Sequence, residues 1–588
     1  MRHTYILKTA VAGLLIAGLA SCADDLNISS IDPQSSQSYD DMELLAKQYA
    51  TLGVTGQAGP SGKGDISGDE GETAFYRVVF NLQELGSDEL IWAWQTDPDI
   101  PQITNLRWTS SSLRAGWAWK RLAYDITNYN SYLEQMKGRT DGEYPHYLAE
   151  VRFLRALHYW YYLDLFHKAP FKDALEEGFS MSALPVEKAG KDLYDWLDAE
   201  LTAIEPMLAE IGAFNNASNF GRADRGAAMM LHARLALNSV IYTDGQVNDY
   251  QKAVSYCDQI INSGKYALST TTNDNGYTGY EQVFMGDNDV NQQAMKECIF
   301  PIRQDGKSTE EYGGSTYLVS SPRALGMPYM STNNAWTCNF AREALVKKFI
   351  ADPEKDCPIA TADEIKNYVE NGHPYLFKNE KGELRTPSEM EVIAADNELG
   401  GATKDIIKVA GDDRAMFYAG IGGCTVEESR IFRAGKNITG FLNGLSIVKW
   451  QNRRSDNSKH SDDTFSDTDI PVFRLAEAYL TRAEAKYRLG QNEAALSDLN
   501  VLRSRAHTTA FTSIDEDILI DEWCREFYME GRRRSDLVRF GRFTTKKYIW
   551  DWKGGSPNGQ AVDARFNIYP VPANELSTNK NLTQNPGY

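Results

Sequence analysis

The sequence predicts a mainly α-helical protein, a tetratricopeptide-like scaffold of helix hairpins with a loop-rich lobe carrying short strands. Three observations lead there. Apolar residues recur at steps of three and four over several long segments, the pattern of a helix that buries one face. Near the C-terminus two such segments, residues 475–490 and the run NEAALSDLNVLRSRA from Asn492, are rich in alanine and parted only by a turn at Gly490, as in a close-packed helix hairpin. Between about Phe300 and Thr468 the texture changes, with Gly, Asn, Asp, Ser and Pro interrupting every apolar run, so loops and short strands are expected.

Taken in order, the chain opens with Arg2, His3 and Lys8, followed by the apolar run AVAGLLIAGLA at 10–20. That run has about the length of a signal-peptide core and is too short to span a bilayer. It ends in Leu19-Ala20-Ser21-Cys22, a lipobox, which makes Cys22 the acylation site and the new N-terminus after cleavage. A bacterial lipoprotein has a lipid anchor, a flexible stalk and a body in an ATP-poor compartment. Kinases, nucleic-acid enzymes and cytosolic dehydrogenases are thereby disfavoured. Further on, Leu148, Val151, Leu154, Leu157 and Tyr161 mark one buried helix face, with Pro170 expected to stop the pattern. A second helix carries Leu193, Trp196, Leu197, Leu201, Ile204 and Leu208. Residues 227–242 and 250–261 form a looser copy of the C-terminal hairpin.

The formal charge is −20, and it becomes about two units more negative once Arg2 and Lys8 leave with the leader. So acidic a surface repels phosphate backbones and anionic lipids, so no nucleic acid is expected as partner, whereas a neutral ligand or a metal cation suits it. No second apolar stretch approaches the roughly 18 residues of a membrane span. Besides Cys22 there are Cys257, Cys298, Cys338, Cys357, Cys424 and Cys524, scattered and without zinc spacing, so most are expected as buried thiols.

Catalytic motifs are missing or poor. GPSGKGD at 59–65 departs from a phosphate loop, because Lys63 is followed by Gly64 and not by Ser or Thr. Ser446 and Lys449 have Ser-x-x-Lys spacing but no companion motif. Asp287-Asn-Asp289 and Asp467-Thr-Asp469 each present oxygens two residues apart. Spacing alone leaves calcium ligands and solvated turn aspartates both open, and favours the turn. LIWAWQTDPDIPQ at 90–102 places Trp92 and Trp94 on one face of an extended chain, followed by Gln95, Asp97 and Asp99. Indole faces stack on the C–H face of a pyranose while amide and carboxylate groups bind hydroxyls. Two core tryptophans on a strand are the competing interpretation.

Several long motifs resemble the SusD/RagB family of outer-membrane lipoproteins. AEVRFLRALHYWYYLDLFHKAPF (149–171), GRADRGAAMMLHARLALN (221–238), FRLAEAYLTRAEAKYRLG (473–490), EFYMEGRRRSDLVRFG (526–541) and YPVPANELSTNKNLTQNPGY (569–588) follow the family's order over nearly the whole chain. LPVEK at 184–188, GLSIVKWQN at 444–452 and the double-tryptophan segment are similar to the starch-binding founding member. The resemblance implies a non-catalytic, cell-surface, lipid-anchored protein of the outer membrane. It would capture starch or malto-oligosaccharides, α-1,4-glucans, for a SusC-like TonB-dependent transporter. It also implies a sugar-stacking arc of Trp92, Trp94, Tyr312 and Trp336, with Asp69, Arg77 and Asp97 as polar contacts, and a structural calcium held by Asp289, Asp467 and Asp469. Asp97 stands where the founding member has asparagine, so an amide donor is replaced by a charge. The arginines of EGRRRSDLVRFG are expected to be architectural. On this basis residues 1–21 are a signal peptide and 22–60 a lipid-anchored tether and N-terminal segment. Residues 61–300 form the N-terminal helical part with the sugar-contacting segment and 301–588 the C-terminal part, the last two making one compact unit. A glycoside hydrolase on a helical scaffold, and a structural lid for the transporter with another glycan as ligand, are the competing functions.

Overall fold

The computed structural model describes residues 40–56, 64–66, 71–323, 331–352, 377–378, 381, 384–385, 402–418 and 445–588, so Cys22, Asp69, Cys357 and Cys424 lie outside the described residues. The chain divides into two compact units, Met1–Gln48 and Tyr49–Tyr588. The first contributes the opening residues of the helix Asp41–Gly53. Everything that follows belongs to the second, which takes in residues on both sides of position 300.

Helices dominate the second unit: α1 (Phe75–Glu84), α2 (Leu113–Met136), α3 (Tyr144–Phe166), α4 (Gly190–Ile204), α5 (Arg225–Leu237), α6 (Tyr250–Asn262), α7 (Leu475–Arg488), α8 (Asn492–Arg505), α9 (Glu516–Phe527) and α10 (Arg533–Arg539). From α2 to α8 each packs on the next. The helices α6 and α7 pack on each other, so the two hairpins stack directly although residues 263–474 separate them in sequence.

The helix α3 begins with Pro145 in its first turn, where a missing N–H costs nothing. It stops at His167, which takes the left-handed conformation (φ 58°) and donates its N–H to the Leu163 carbonyl at 3.0 Å. The expectation that Pro170 ends this helix is therefore corrected. Pro170 instead lies in β2 (Lys168–Phe171), paired antiparallel with β3 (Val186–Ala189). Inside α3, the fully buried Arg155 joins Asp173 at 2.6 Å and Glu200 of α4 at 2.9 Å.

Alanines 476, 478, 483 and 485 of α7 and Ala495 of α8 are fully buried, which lets the two backbones approach. Gly490 turns the chain at φ 77°, a conformation glycine adopts without strain. Arg482 then binds Asp498 of α8 at 2.6 Å and Asp258 of α6 at 2.7 Å, so one guanidinium spans three helices.

The described strands form five two-stranded antiparallel ladders. β1 (Leu90–Trp92) pairs with β5 (Asn339–Ala341), and β4 (Cys298–Ile302) with β10 (Ile470–Arg474). The three remaining short ladders are β2–β3, β6 (Phe377–Lys378) with β7 (Leu384–Arg385), and β8 (Phe417–Tyr418) with β9 (Ser446–Ile447). Cys257, Cys298, Cys338 and Cys524 are buried free thiols.

The arginines of 532–539 are internal staples. Arg533 binds Asp88 through two bonds of 2.7 and 2.8 Å, Arg534 binds Asp164 at 2.7 Å, and Arg539 binds Glu484 and Asp536 at 2.8 Å. Burial would raise the Asp88 carboxyl, but the Arg533 charge outweighs it and holds the group well below the usual range. Breaking one partner of such a buried pair typically costs about 3–5 kcal/mol, because the other charge is left desolvated. The last residues close the same core: Asn585 donates to the carbonyls of Phe166 and Tyr569, both at 2.8 Å, and Tyr588 accepts the Trp108 indole N–H at 2.7 Å.

Candidate functional site

The ladder β1–β5 sets Leu90 opposite Ala341 and Trp92 opposite Asn339, and the Ala93 N–H continues the pairing to the Cys338 carbonyl at 2.7 Å. Trp94 and Trp336 thus emerge just beyond the same end of the ladder. Trp336 is tied by its N–H to the Ser320 carbonyl at 3.0 Å, at the end of the short helix Ser315–Ser320 that carries Tyr317. Tyr312 precedes that helix. Its loop lies backbone to backbone against residue 71: a Cβ on Gly313 would sit 2.1 Å from the Gly71 carbonyl, and Gly71 itself has φ 79°. Only glycine permits this approach, which presses the Tyr312 loop onto the entry to α1.

The rings form a continuous series. Centroids run Trp94–Trp92 at 6.1 Å, Trp92–Tyr317 at 6.0 Å, Tyr317–Trp336 at 6.2 Å, Trp336–Tyr312 at 6.1 Å and Tyr312–Phe465 at 4.8 Å. Their exposure differs in a way that corrects the expected arc. Trp94, Tyr312 and Trp336 are half-buried, whereas Trp92 is only 2 % exposed and Tyr317 is fully buried. Trp92 is therefore floor, not contact face. The two indoles of the WAW segment also meet edge to face, at 84°, because the strand ends at Trp92 and the simple two-residue alternation ends with it.

The polar residues are drawn into the same base. Asp97 accepts the Trp92 indole N–H at 3.1 Å. Arg77, 8 % exposed, lies over the Tyr317 ring at 4.6 Å and the Trp336 ring at 5.9 Å, and reaches Glu72 at 4.0 Å. It acts more as a cation beneath the rings than as the edge contact expected. Two residues escaped the sequence reading. Tyr317 donates to Asn81 of α1 at 2.7 Å and so keys the rings to the helical scaffold. Arg114 at the start of α2 stacks on Trp92 and Trp117, both at 5.6 Å. Burial and the nearby Arg77 charge pull its pKa down. Tyr317 could have been suspected from its place in the aromatic stretch EYGGSTYLV; Arg114 carries no signal of its own.

The aspartates expected to hold calcium do come together. Asn288 exchanges two bonds with the Asp469 backbone, 2.8 and 3.0 Å, docking the 287–289 turn beside β10. Arg303, just past β4, contacts Asp289 at 3.0 Å and Asp469 at 2.9 Å. Asp467 accepts the N–H groups of Gly306 at 2.9 Å and Ser461 at 2.8 Å. Among the described residues no group of three or more His, Cys, Asp or Glu side chains has metal-holding geometry; the cation inside this cluster is the guanidinium of Arg303. The donors are nonetheless hard oxygens, and the buried Asp469 Oδ2 makes no hydrogen bond in spite of its contact with Arg303. Burial pushes Asp469 up to about 7, Arg303 opposing and the Asp289 and Asp467 charges adding to the rise. Asp287 is accounted for by Ser455, through 2.8 and 2.7 Å bonds to its N–H and hydroxyl.

A helix-hairpin scaffold that displays half-buried aromatic rings beside a two-stranded ladder defines the class. The model of the SusD family matches residues 433–588. Over their full lengths the chain is 50 % identical to the starch-binding protein SusD of Bacteroides thetaiotaomicron, covering 100 % of both. Two solved structures share the fold. A SusD-like protein from Bacteroides fragilis aligns with a TM-score of 0.63 at 18 % identity, over 95 % of this chain and 100 % of that one. Surface glycan-binding protein A from Bacteroides thetaiotaomicron, in complex with laminarihexaose, aligns with 0.60 at 17 % identity, over 92 % and 98 %. The chain belongs to the SusD family.

Proposed function

We propose that the protein is a non-catalytic glycan-binding member of the SusD family that captures starch or malto-oligosaccharides at the Trp94–Trp336–Tyr312 face. The observation that carries this reading is the series of touching rings, of which three remain half-buried and so keep part of their surface for a ligand. Identity of 50 % over the full length to a protein named for starch binding supports it. Stacked on an uneven row of rings, a glucan that bends along its length makes more contacts than a flat one, and shape with few hydrogen bonds gives modest affinity. Trp92, Asp97 and Arg77 hold the floor; Asp69, outside the described residues, is kept as a polar contact. Affinity electrophoresis against starch, pullulan, dextran and cellulose tests this. Retardation by starch and pullulan but not by cellulose is expected, and equal retardation by all four would refute it. Intact labelled maltoheptaose after incubation is the expected sign of a binding protein, and product formation would favour a hydrolase.

Delivery to a TonB-dependent outer-membrane transporter, and anchoring at the cell surface through acylated Cys22, complete the proposal. Among the described residues no helix is long and apolar enough to cross a membrane. A Cys22→Ala protein that still carries lipid label would overturn the anchor. Calcium is proposed at Asp289, Asp467 and Asp469, with the Arg303 side chain, 41 % exposed, swung aside so that its carboxylate partners face the ion. Calcium should raise the unfolding temperature and a chelator lower it.

A further inference from the structure

Tyr312 is the middle residue of a turn that the side chain of Glu311 closes. One carboxylate oxygen of Glu311 accepts the Gly313 N–H at 2.8 Å; the other accepts the Thr55 N–H at 2.8 Å and also the Thr55 hydroxyl. Glu311 is only 3 % exposed, and all three donors are neutral. Taking a carboxylate out of water is costly unless charge-assisted hydrogen bonds offset the loss. Here they come from the turn itself and from a residue 256 positions earlier in the chain. The backbone is strained where the turn begins: Glu310 has φ 40°, a left-handed conformation uncommon for a residue other than glycine.

Thr55 is itself held. It follows the helix Asp41–Gly53, and its carbonyl accepts the Asp65 N–H at 3.2 Å and Nη2 of Arg121 at 3.1 Å. Arg121, on α2 and fully buried, also donates through Nε to the Thr73 carbonyl at 2.7 Å. Thr73 belongs to the turn before α1 whose Gly71 carbonyl lies against Gly313. One guanidinium therefore fixes both walls that grip residues 311–313, Thr55 on the carboxylate side and Gly71–Thr73 on the backbone side. Trp336 has a different support, the Ser320 carbonyl. The 6.1 Å separation of the Tyr312 and Trp336 rings is thus set by two independent attachments, and Glu311 governs one of them.

We propose that Glu311 is a positioning residue for glucan binding, acting with Thr55 to fix the Tyr312 ring against Trp336. The inference rests on the reading of the Trp94–Trp336–Tyr312 face as the glycan site. Rings that meet successive sugar units have to be held within about 0.5 Å by the shell behind them. Glu311 joins that shell through its own turn and Thr55 alone, so altering it loosens Tyr312 while the helix hairpins keep their packing.

Titration calorimetry of the full chain with maltoheptaose, beside affinity electrophoresis on starch and thermal unfolding, tests the proposal. Glu311→Gln sets an amide N–H against one of the donors and should weaken binding about three- to tenfold. Thr55→Val removes only the hydroxyl and should weaken it about two- to threefold. Thr55→Ser returns the hydroxyl and should restore the parent's affinity. Both Thr55 variants should melt close to the parent. In a Tyr312→Ala background neither Glu311→Gln nor Thr55→Val should matter further, because the ring they place is gone. Starch presents many chains, which keeps the weakened binding of that background measurable. If Glu311→Gln does not fold, the Thr55 variants decide. Three results overturn the proposal while the glycan reading stands: unchanged affinity in Glu311→Gln and Thr55→Val, a Thr55→Ser protein as weak as Thr55→Val, or a loss as large in the Tyr312→Ala background as in the parent. A parent protein that starch does not retard ends both.

Discussion

Asp97 accepts the indole N–H of Trp92 at 3.1 Å, five residues back in the chain, and so clamps the turn that presents Trp94. The clamp divides the tryptophans by role. Trp94→Ala, Tyr312→Ala or Trp336→Ala should each lower glucan affinity, by on the order of 2 kcal/mol for the ring that carries most of the stacking, with little change in melting temperature. Trp92→Ala should instead destabilise the fold by about 3–5 kcal/mol, as emptying a core aromatic site does. Affinity electrophoresis read beside thermal unfolding separates the two outcomes; a Trp92→Ala protein as stable as the parent would show that the floor is misassigned.

Asp97→Asn should keep both the clamp and the glucan, since an amide oxygen accepts the same indole N–H. Asp97→Ala should weaken binding several-fold without touching the sugar-facing rings. Equal affinities for the alanine and asparagine proteins would contradict a positioning role.

How far the fold could be read follows from what each element depends on. Helix period and alanine content foretold α3, α7 and α8, because a helix is decided by spacing within one segment. The end of α3 was misplaced because a single histidine in the left-handed conformation stops it, and nothing in local composition distinguishes His167 from its neighbours. The rings expected to face a sugar do lie in one series, but Trp92 is buried where an exposed face was expected. Whether Trp92 or Trp94 faces out depends on where β1 stops pairing with β5, and that partner lies about 250 residues away. Tyr317 and Arg114 matter through contacts across the fold, which periodicity does not report.

Arg303 stands where a bound cation would compete for the same carboxylates. In a chelator, Arg303→Gln should lower the melting temperature, because Asp289 and Asp469 lose their counter-charge. With calcium added it should recover at least the parent's stability and bind the ion more tightly. A variant whose melting is indifferent to calcium would argue that these aspartates hold only the guanidinium.

Asp88 and Arg533 suit a double-mutant cycle. Arg533→Met or Asp88→Asn alone should each cost about 3–5 kcal/mol, and the double variant clearly less than their sum, measured by denaturant unfolding. Additive losses would mean that the pair is not coupled.

The pH dependence should carry a mark from Asp224, which caps α5 by accepting the N–H groups of Gly226 and Ala227. Burial pushes its pKa up to about 6, the capping N–H groups and the Tyr266 hydroxyl opposing. A carboxyl raised in the folded state binds its proton more tightly there. Its favourable contribution is complete below about pH 4 and is lost as the pH rises through about 6. Asp224→Asn keeps a capping oxygen without the charge, so relative to the parent it should gain on the order of 2–3 kcal/mol between those limits. A flat difference across that window would rule out this assignment.

The staples from Arg533 to Asp88 and from Arg534 to Asp164 bear on how the polypeptide reaches its folded state. Both aspartates are synthesised hundreds of residues before the arginines that neutralise them, and the carbonyls of Phe166 and Tyr569 wait for Asn585. A nascent chain ending short of these residues would have to desolvate carboxylates with no counter-charge. Closing such long loops is slow and brings its return only at completion. The molecule should therefore fold as one event after its last residues are available, and a premature stop near position 530 should leave an unfolded chain, not a shorter domain.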